Sequence, residues 1–500
     1  MKRYSYYFTA ILAVLVFTMN IYSQDKNRVV LLKTEEPVIN FKVWFNVGSK
    51  DDPKGKEGLA WLTAAMLNEG GTSKLTYSEI INLLYPLAAG YYASVSQENT
   101  VYNGSVHKDN LKEYLEIFTG QLLQPGFREE DFKRVKEEAQ TFLSTTLRYS
   151  SDEELGKAVL YNDIYAGTPY GHLVQGTLSS LNAITLQDVK EFYTKYFNRN
   201  NFILAVGGGY DDALLKSVWG SLMSLPDGKQ NISSAVTPKE VKGLKVIIVE
   251  KKSNATAISM GYPIDLLRSN DEWYPLAVAN SWLGEHRNSS SHLYQVIREA
   301  RGLNYGDYSY IEYYPNGGRL SKPPVNVPLK KHLFEIWIRP VPNDARHFAL
   351  RAALREFTKL SNEGLSEADF DMTRKFLQKY VLHYAPNTEM RLGYALDDRF
   401  YGTGEPGHLQ KFRSRMGTVT RDQVNKAVKK YFSPENMVIV VITPDAEKFK
   451  QDLLNNSPSP IVYQTPKPES VLEEDKEIIN YHLNINPGNV TIVKLEELFK

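Results

Sequence analysis

A segment of this chain recurs 235 residues later, and that repetition limits the possible folds more than any other feature of the sequence. Residues 181–197 (LNAITLQDVKEFYTKYF) match residues 416–432 (MGTVTRDQVNKAVKKYF), with Thr185 opposite Thr420. Each threonine stands where an N-capping residue would begin a helix. The strands predicted at corresponding places are 29–32 and 246–249, and 202–206 and 437–442. The sequence therefore predicts one α+β unit built twice in tandem.

The length agrees with this division, because 500 residues exceed what one hydrophobic core usually organises. The predicted segments are a signal peptide at 1–23, a first domain at 29–225, a linker at 226–242, a second domain at 243–450 and a tail at 451–500. The end of the tail is apolar enough to pack on a domain as a strand or clip. A flexible terminus fits the same composition equally well.

Composition excludes several kinds of function. The formal net charge is only +1, which argues against nucleic-acid binding as the main task. Cysteine is absent, so disulfides, thiolate nucleophiles and thiolate zinc sites are excluded.

The N-terminal segment has the pattern of an export signal. Lys2 and Arg3 precede an apolar run at 6–19, and cleavage is predicted after Ser23. A membrane anchor is the rival interpretation, but about 14 apolar residues fall short of the roughly 20 that a spanning helix needs. We expect an exported protein without a transmembrane span after cleavage, and a periplasmic one if the source is Gram-negative.

A short helix is predicted within residues 58–72 (GLAWLTAAMLNEGGT), after a strand and a polar loop. This arrangement resembles the active-site helix of the pitrilysin/insulinase metallopeptidases, the inverted zincins, where the helix carries H-x-x-E-H. The five positions of that motif are occupied here by Trp61, Leu62, Thr63, Ala64 and Ala65. The surroundings of the motif are present, and its chemical groups are not.

The remaining metal ligand of that family is a glutamate roughly 77 residues beyond the second histidine. In this chain that count falls on Phe142. Zinc hydrolysis needs imidazole and carboxylate ligands and a general base, and the side chains at these positions can bind no Zn²⁺ and carry no proton. We therefore expect no catalytic or metal-binding residues here, no cofactor, and no peptidase activity from this chain alone.

Residues 293–305 (LYQVIREARGLNY) resemble the signature of the family's second half, in which an arginine and a tyrosine seven positions later contact the peptide carbonyl. Arg298 and Tyr305 fit that spacing. A guanidinium orients carbonyl oxygens, and a phenol donates to a developing oxyanion. The resemblance thus implies substrate binding by Arg298 and Tyr305. An ordinary surface ion pair and a strand tyrosine are the alternative.

Two further features bear on a site. The family's substrate-pairing edge strand usually begins with Asn-Ala, where this chain has Tyr92 and Ala93, so pairing at this edge is in question. Glu285, His286 and His292 have no spacing of helical metal ligands, and we expect surface histidines there.

The resemblance implies two insulinase-like domains, each a mainly antiparallel sheet packed with helices, that form half of a clamshell. In two-chain members one chain carries H-x-x-E-H and the other lacks it. The first hypothesis is therefore a non-catalytic subunit that binds unfolded peptide for a partner chain holding the zinc. The second is a non-proteolytic binding or structural subunit of an envelope protein assembly.

Overall fold

The computed structural model describes residues 26–232 and 235–500. The predicted signal peptide at 1–23 lies outside these described residues, as do residues 233 and 234 within the predicted linker.

Two sheets share one topology. The strands of the first are β1 (Val29–Lys33), β2 (Val38–Phe45), β3 (Gly90–Val95), β4 (Thr100–His107) and β5 (Phe202–Gly208), in the order β1-β5-β2-β4-β3. The strands of the second are β6 (Leu244–Glu250), β7 (Ala255–Ile264), β8 (Asp307–Tyr310), β9 (His332–Pro342), β10 (Met437–Thr443) and β11 (Ile485–Lys494), in the order β11-β6-β10-β7-β9-β8. In each sheet the first strand runs parallel to the last strand of the unit, and the other pairs of the unit are antiparallel. The predicted α+β fold with two homologous domains is confirmed.

Helices surround both sheets. Those of the first half are α1 (Leu59–Glu69), α2 (Tyr77–Leu84), α3 (Leu111–Leu123), α4 (Glu129–Thr141), α5 (Leu147–Tyr149), α6 (Asp152–Ile164), α7 (Leu178–Ala183), α8 (Leu186–Tyr196) and α9 (Asp212–Leu222). Those of the second half and tail are α10 (Trp273–Gly284), α11 (Arg346–Glu363), α12 (Glu367–Tyr380), α13 (Thr388–Tyr401), α14 (His408–Thr418), α15 (Arg421–Tyr431), α16 (Ala446–Leu454) and α17 (Glu469–Ile479). π-Helical turns lie at Phe142–Thr146 and Tyr294–Glu299.

The repeated threonines cap equivalent helices, α8 and α15. The Thr185 hydroxyl accepts the backbone N–H of Asp188 at 3.2 Å, and the Asp188 carboxylate accepts the backbone N–H of Thr185 at 2.8 Å. Thr420 and Gln423 form the same reciprocal pair. These capping boxes satisfy N–H groups that the start of a helix leaves unpaired, which explains why this local pattern survives in both copies.

One helix of each half packs on the sheet of the other half. Helix α6 of the first half packs on β7 and β10 of the second sheet. Helix α13 of the second half packs on β1, β2 and β5 of the first sheet, where Leu392 and Leu396 meet Trp44, Val101 and Ala205. The two halves therefore bury apolar surface in one another.

The tail is ordered against the second half. Helix α17 packs on α11, and β11 extends the second sheet beside β6. Of the two alternatives for this segment, the structure shows the packed strand. Across residues 26–232 and 235–500, no helix is both long and apolar enough to cross a membrane.

Candidate functional site

Helix α1 occupies the place that its sequence predicted, and a buried carboxylate holds its start. Asp52 accepts the backbone N–H groups of Gly58 and Ala60, each at 2.7 Å. Burial raises the pKa of Asp52. Gly58 has a φ of 98°, and a Cβ there would lie 2.4 Å from the carbonyl oxygen of Gln175, so only glycine fits. The helix ends at Gly70, as predicted.

The five motif positions on α1 belong to the core of the first half. Leu62, Thr63, Ala64 and Ala65 are buried, and Trp61 packs against the same core while remaining partly exposed. The Thr63 hydroxyl donates to the carbonyl of Leu59 at 2.8 Å, which leaves it engaged within the helix. The side chains at these positions are hydrocarbon, indole and one satisfied hydroxyl, and they do not fit a zinc ion.

Phe142, at the position of the missing glutamate, begins a π-helical turn directly after α4. Helix α4 packs against α1, as two metal-bearing helices would have to. The Phe142 ring packs against two apolar clusters, one in the first half and one between the halves. Within the described residues, no group of three or more histidine, aspartate or glutamate side chains could hold a metal ion.

Both π-helical turns in the described part of the chain carry residues that the sequence singled out. The turn Phe142–Thr146 carries Phe142, and Tyr294–Glu299 carries Arg298. Such turns are rare and are frequent at functional sites. The π-helical turn is therefore present at Phe142, although this position carries a phenyl group and no carboxylate.

Arg298 and Tyr305 are both accessible to solvent. The Arg298 side chain is 33% exposed, is ion-paired with Glu299 and lies with its guanidinium 4.7 Å from the Tyr294 ring centroid. Tyr305 lies in the bend before β8 and is 79% exposed. The structure thus presents both groups to solvent on one segment.

A residue that sequence reasoning missed holds this segment in place. Arg301 is buried, and its guanidinium donates to Asp475 and Glu474 of α17 and to the carbonyl of Val296, each at 2.8 Å. The partners Arg301 and Asp475 are 174 residues apart, so no local pattern could have paired them. The tail helix therefore anchors the segment that carries Arg298.

The edge strand β3 is partly occupied by side chains of the same chain. The backbone N–H of Ala93 donates to the Asn68 side chain of α1 at 3.2 Å. The Tyr92 hydroxyl donates to Glu389 of α13 at 2.9 Å. A peptide that added to this edge would have to displace the Asn68 contact.

The expectation of surface histidines is wrong for His286. Its ring is buried, with Nδ1 2.5 Å from the Tyr310 hydroxyl and Nε2 2.8 Å from the carbonyl of Leu320. Burial lowers the pKa of His286 to about 4 and raises that of Glu285 to about 7. His292 is half-buried, stacks on Trp282 and lies 2.7 Å from the Glu356 carboxylate. These tertiary partners leave no signal in sequence spacing.

The fold and this site define a class of protein: a duplicated α+β peptidase unit in which the metal-binding positions carry apolar side chains. Residues 28–177 match the family model described as insulinase (peptidase family M16), and residues 183–377 match the one described as peptidase M16 inactive domain. The chain belongs to the M16 insulinase family, as a member that lacks the H-x-x-E-H motif.

Curated relatives carry contrasting names. The chain is 24% identical over 289 residues to an uncharacterized zinc protease of Streptomyces coelicolor, covering 56% of this chain and 61% of that one. It is 27% identical over 266 residues to the non-peptidase homolog YmxG of Helicobacter pylori, covering 53% and 60%. The chain thus spans about three fifths of the length of these relatives. The motif positions of this chain carry none of the histidine or glutamate side chains of H-x-x-E-H.

Solved structures share the fold. A peptidase M16 inactive domain from Pseudomonas fluorescens superposes with a TM-score of 0.73 at 21% identity, covering 88% of this chain and 97% of that one. A protease from Helicobacter pylori superposes with a TM-score of 0.68 at 18% identity, covering 83% and 97%.

Proposed function

We propose that this chain is the non-catalytic subunit of a two-chain insulinase-type zinc peptidase. It helps to form a closed chamber and binds unfolded peptide for a partner chain that carries H-x-x-E-H and the zinc. It acts after export, in the periplasm if the source is Gram-negative. The observation that carries this proposal is a contrast: four catalytic positions have lost their chemical groups, while Arg298 and Tyr305 remain in place and exposed.

The chemistry of that pair supports peptide binding. A guanidinium donates to carbonyl oxygens in a fixed geometry, and a phenol adds one further donor. Neither group is buried, and Arg301 anchors their segment to α17, so both donors extend from a fixed base. Peptide contact is assigned to this segment rather than to β3, because Asn68 already uses an N–H of that edge.

The test combines the chain with an M16 chain that carries H-x-x-E-H and is encoded by the same genome. Cleavage of an unfolded fluorogenic peptide is measured for each chain alone and for the mixture. We expect strong cleavage only in the mixture, and loss of at least tenfold in kcat/KM with Arg298→Ala or Tyr305→Phe. Arg421→Ala, which removes a surface arginine paired with Glu367, is the matched control and should leave the rate unchanged. A partner that is fully active alone and indifferent to Arg298→Ala would refute the proposal.

A second candidate function is a non-proteolytic structural subunit of an envelope assembly. The observation that favours it is the apolar packing of Phe142 and the occupied edge of β3. Purification of the exported protein with its bound proteins separates the two functions. An M16 zinc chain in stoichiometric amount supports the first, and a complex without one supports the second.

A further inference from the structure

We infer that residues 495–500 fill a peptide-binding groove between the two halves, and that an external peptide of similar sequence can take their place. This groove, called here the tail groove, is lined by Arg148, Leu147, Leu178, Ser179 and the apolar face of β6 and β10 that also packs against α6. The inference does not depend on the proposed peptidase function.

The tail leaves the second sheet to reach the groove. Strand β11 ends at Lys494, and a 3₁₀ turn, Leu495–Glu497, follows it. Leu495 and Phe499 are then 4% and 8% exposed, in an apolar cluster shared with α6, β6 and β10. Two apolar anchors four positions apart therefore fix the segment, while Glu496 between them points to solvent.

The first half recognises the tail mainly through its backbone. The Arg148 guanidinium donates to the carbonyl of Leu498 at 2.6 Å. The backbone N–H of Leu178 donates to the carbonyl of Phe499 at 3.1 Å. The Ser179 hydroxyl donates to the carbonyl of Lys500 at 3.1 Å. Contacts to main-chain carbonyls accept any sequence, so selectivity rests on the two apolar anchors.

Arg148 indicates that this is a site for a ligand rather than simple packing. Its side chain is buried, yet no carboxylate of the described residues lies within ion-pair distance, and its Nε has no hydrogen-bond partner there. A buried guanidinium without a counter-ion is costly unless oxygen acceptors satisfy it. The tail supplies the carbonyl of Leu498 as this acceptor, and a peptide in its place would supply a main-chain carbonyl of its own.

The tail groove adjoins the degenerate metal site. Phe142 packs against the same cluster as Leu495 and Phe499. On the other side, the Ser180 hydroxyl donates to the carbonyl of Glu57, next to the start of α1, at 2.7 Å. Phe142 thus adds to the apolar cluster in which Leu495 and Phe499 are buried.

The test uses a variant that ends at Lys494 and the peptide Leu-Glu-Glu-Leu-Phe-Lys, labelled at its N-terminus and free at its C-terminus. Fluorescence anisotropy should show binding to the shortened chain and at least tenfold weaker binding to the full chain, because the tethered tail competes at a high effective concentration. The peptide Leu-Glu-Glu-Leu-Ala-Lys, which lacks the phenyl anchor, should bind at least tenfold more weakly. Arg148→Met in the shortened chain should also weaken binding at least tenfold.

The inference is overturned if the shortened chain unfolds cooperatively near the temperature of the full chain but binds no peptide, or if both chains bind it equally. Should the shortened chain fail to fold, full-length Phe499→Ala provides the measurement. This variant should bind the peptide at least tenfold more tightly than the parent, and hydrogen exchange of residues 495–500 should become faster when peptide is added, because the peptide displaces them. Full-length Glu496→Ala is the matched control and should behave like the parent. A folded Phe499→Ala chain that ignores the peptide would refute the tail groove.

Discussion

The phenol of Tyr161 donates to the buried carboxylate of Glu335 over 2.6 Å, joining helix α6 of the first half to strand β9 of the second. Trp337 donates its indole N–H to the same carboxylate at 3.0 Å. Burial nonetheless dominates and raises the pKa of Glu335 to about 7. The contact between the halves therefore contains a carboxyl group that titrates near neutral pH.

Glu335→Gln should change how stability depends on pH. Because the folded-state pKa is raised above the unfolded value, the contribution of Glu335 is fully present below about pH 4.5 and is lost as pH rises through about 7. The glutamine of the variant cannot ionise. The free energy of unfolding of the variant, relative to that of the parent, should therefore rise by up to about 3 kcal/mol from pH 5 to pH 8, at about 1.4 kcal/mol per pKa unit. Urea unfolding of both proteins at the two pH values measures this difference. A difference that does not vary with pH would contradict the assignment.

His332 on the same strand should act in the opposite direction. Burial lowers its pKa to about 4, and its ring accepts the backbone N–H of Tyr313 at 3.1 Å and lies 3.1 Å from the Tyr401 hydroxyl. The folded state keeps this imidazole neutral, so its contribution is present above about pH 6.5 and is lost as pH falls toward 4. His332→Gln should be less stable than the parent at pH 7. This difference in unfolding free energy should shrink by about 2 kcal/mol when the pH falls to 5, because only the parent loses stability.

Unfolding by urea at both pH values provides this measurement as well. His482→Gln removes an exposed histidine of the tail, between α17 and β11, and is the matched control. A deficit for His332→Gln that stays constant with pH would show that its imidazole titrates normally in the folded protein.

Arg268 and Glu312 form a buried ion pair, and removing one partner alone should destabilise the protein. Two guanidinium nitrogens of Arg268 donate to the two carboxylate oxygens of Glu312, each at 2.9 Å, and the Arg268 side chain is buried. Asp397 lies further away, at 3.6 Å. Glu312→Ala leaves the guanidinium with only that distant charge and should cost about 3–5 kcal/mol of unfolding free energy. Chemical denaturation of the variant checks the value.

The control is the double variant Arg268→Met with Glu312→Leu. Replacing both groups removes the uncompensated guanidinium, and Asp397 keeps its hydrogen bonds from Asn326, so the double variant should be more stable than Glu312→Ala. If the single variant lost less than the double one, the ion pair would contribute little and Asp397 would be the effective partner of Arg268.

Local patterns in the sequence were sufficient for the repeated elements. The capping threonines Thr185 and Thr420, the glycine stop of α1 and the strands after each repeat depend on neighbours in the chain, and the structure confirms them. The loss of the metal site could also be predicted, because the motif and a residue count locate Trp61 and Phe142 where zinc ligands would stand. Neither side chain has an atom that binds zinc.

Contacts between distant segments could not be predicted. Helices α6 and α13 carry no local sign that each packs on the sheet of the other half, because that choice depends on the docking of whole domains. Arg301 has the composition of a surface residue in its segment, and only the packing of α17 shows that it is buried. His286 was misassigned for the same reason: its partners Tyr310 and Leu320 come from other elements.

The substitution pattern on α1 predicts that the purified chain binds no zinc at this site and that four changes could create one. Helix α1 still packs against α4, and a π-helical turn still begins at Phe142. Trp61→His, Ala64→Glu, Ala65→His and Phe142→Glu together would place two imidazoles one helical turn apart and a carboxylate opposite them. We expect one zinc ion per molecule of the quadruple variant and none in the parent, measured by metal analysis after dialysis.

The quadruple variant should also be less stable than the parent without metal, by about 1–3 kcal/mol for each overpacked core position, because Ala64 and Ala65 are buried. The triple variant that retains Phe142 is the control and should bind zinc at least tenfold more weakly, since it lacks the third ligand. Stoichiometric zinc in the parent, lost on Trp61→Ala or Phe142→Ala, would overturn the conclusion that these positions hold no metal.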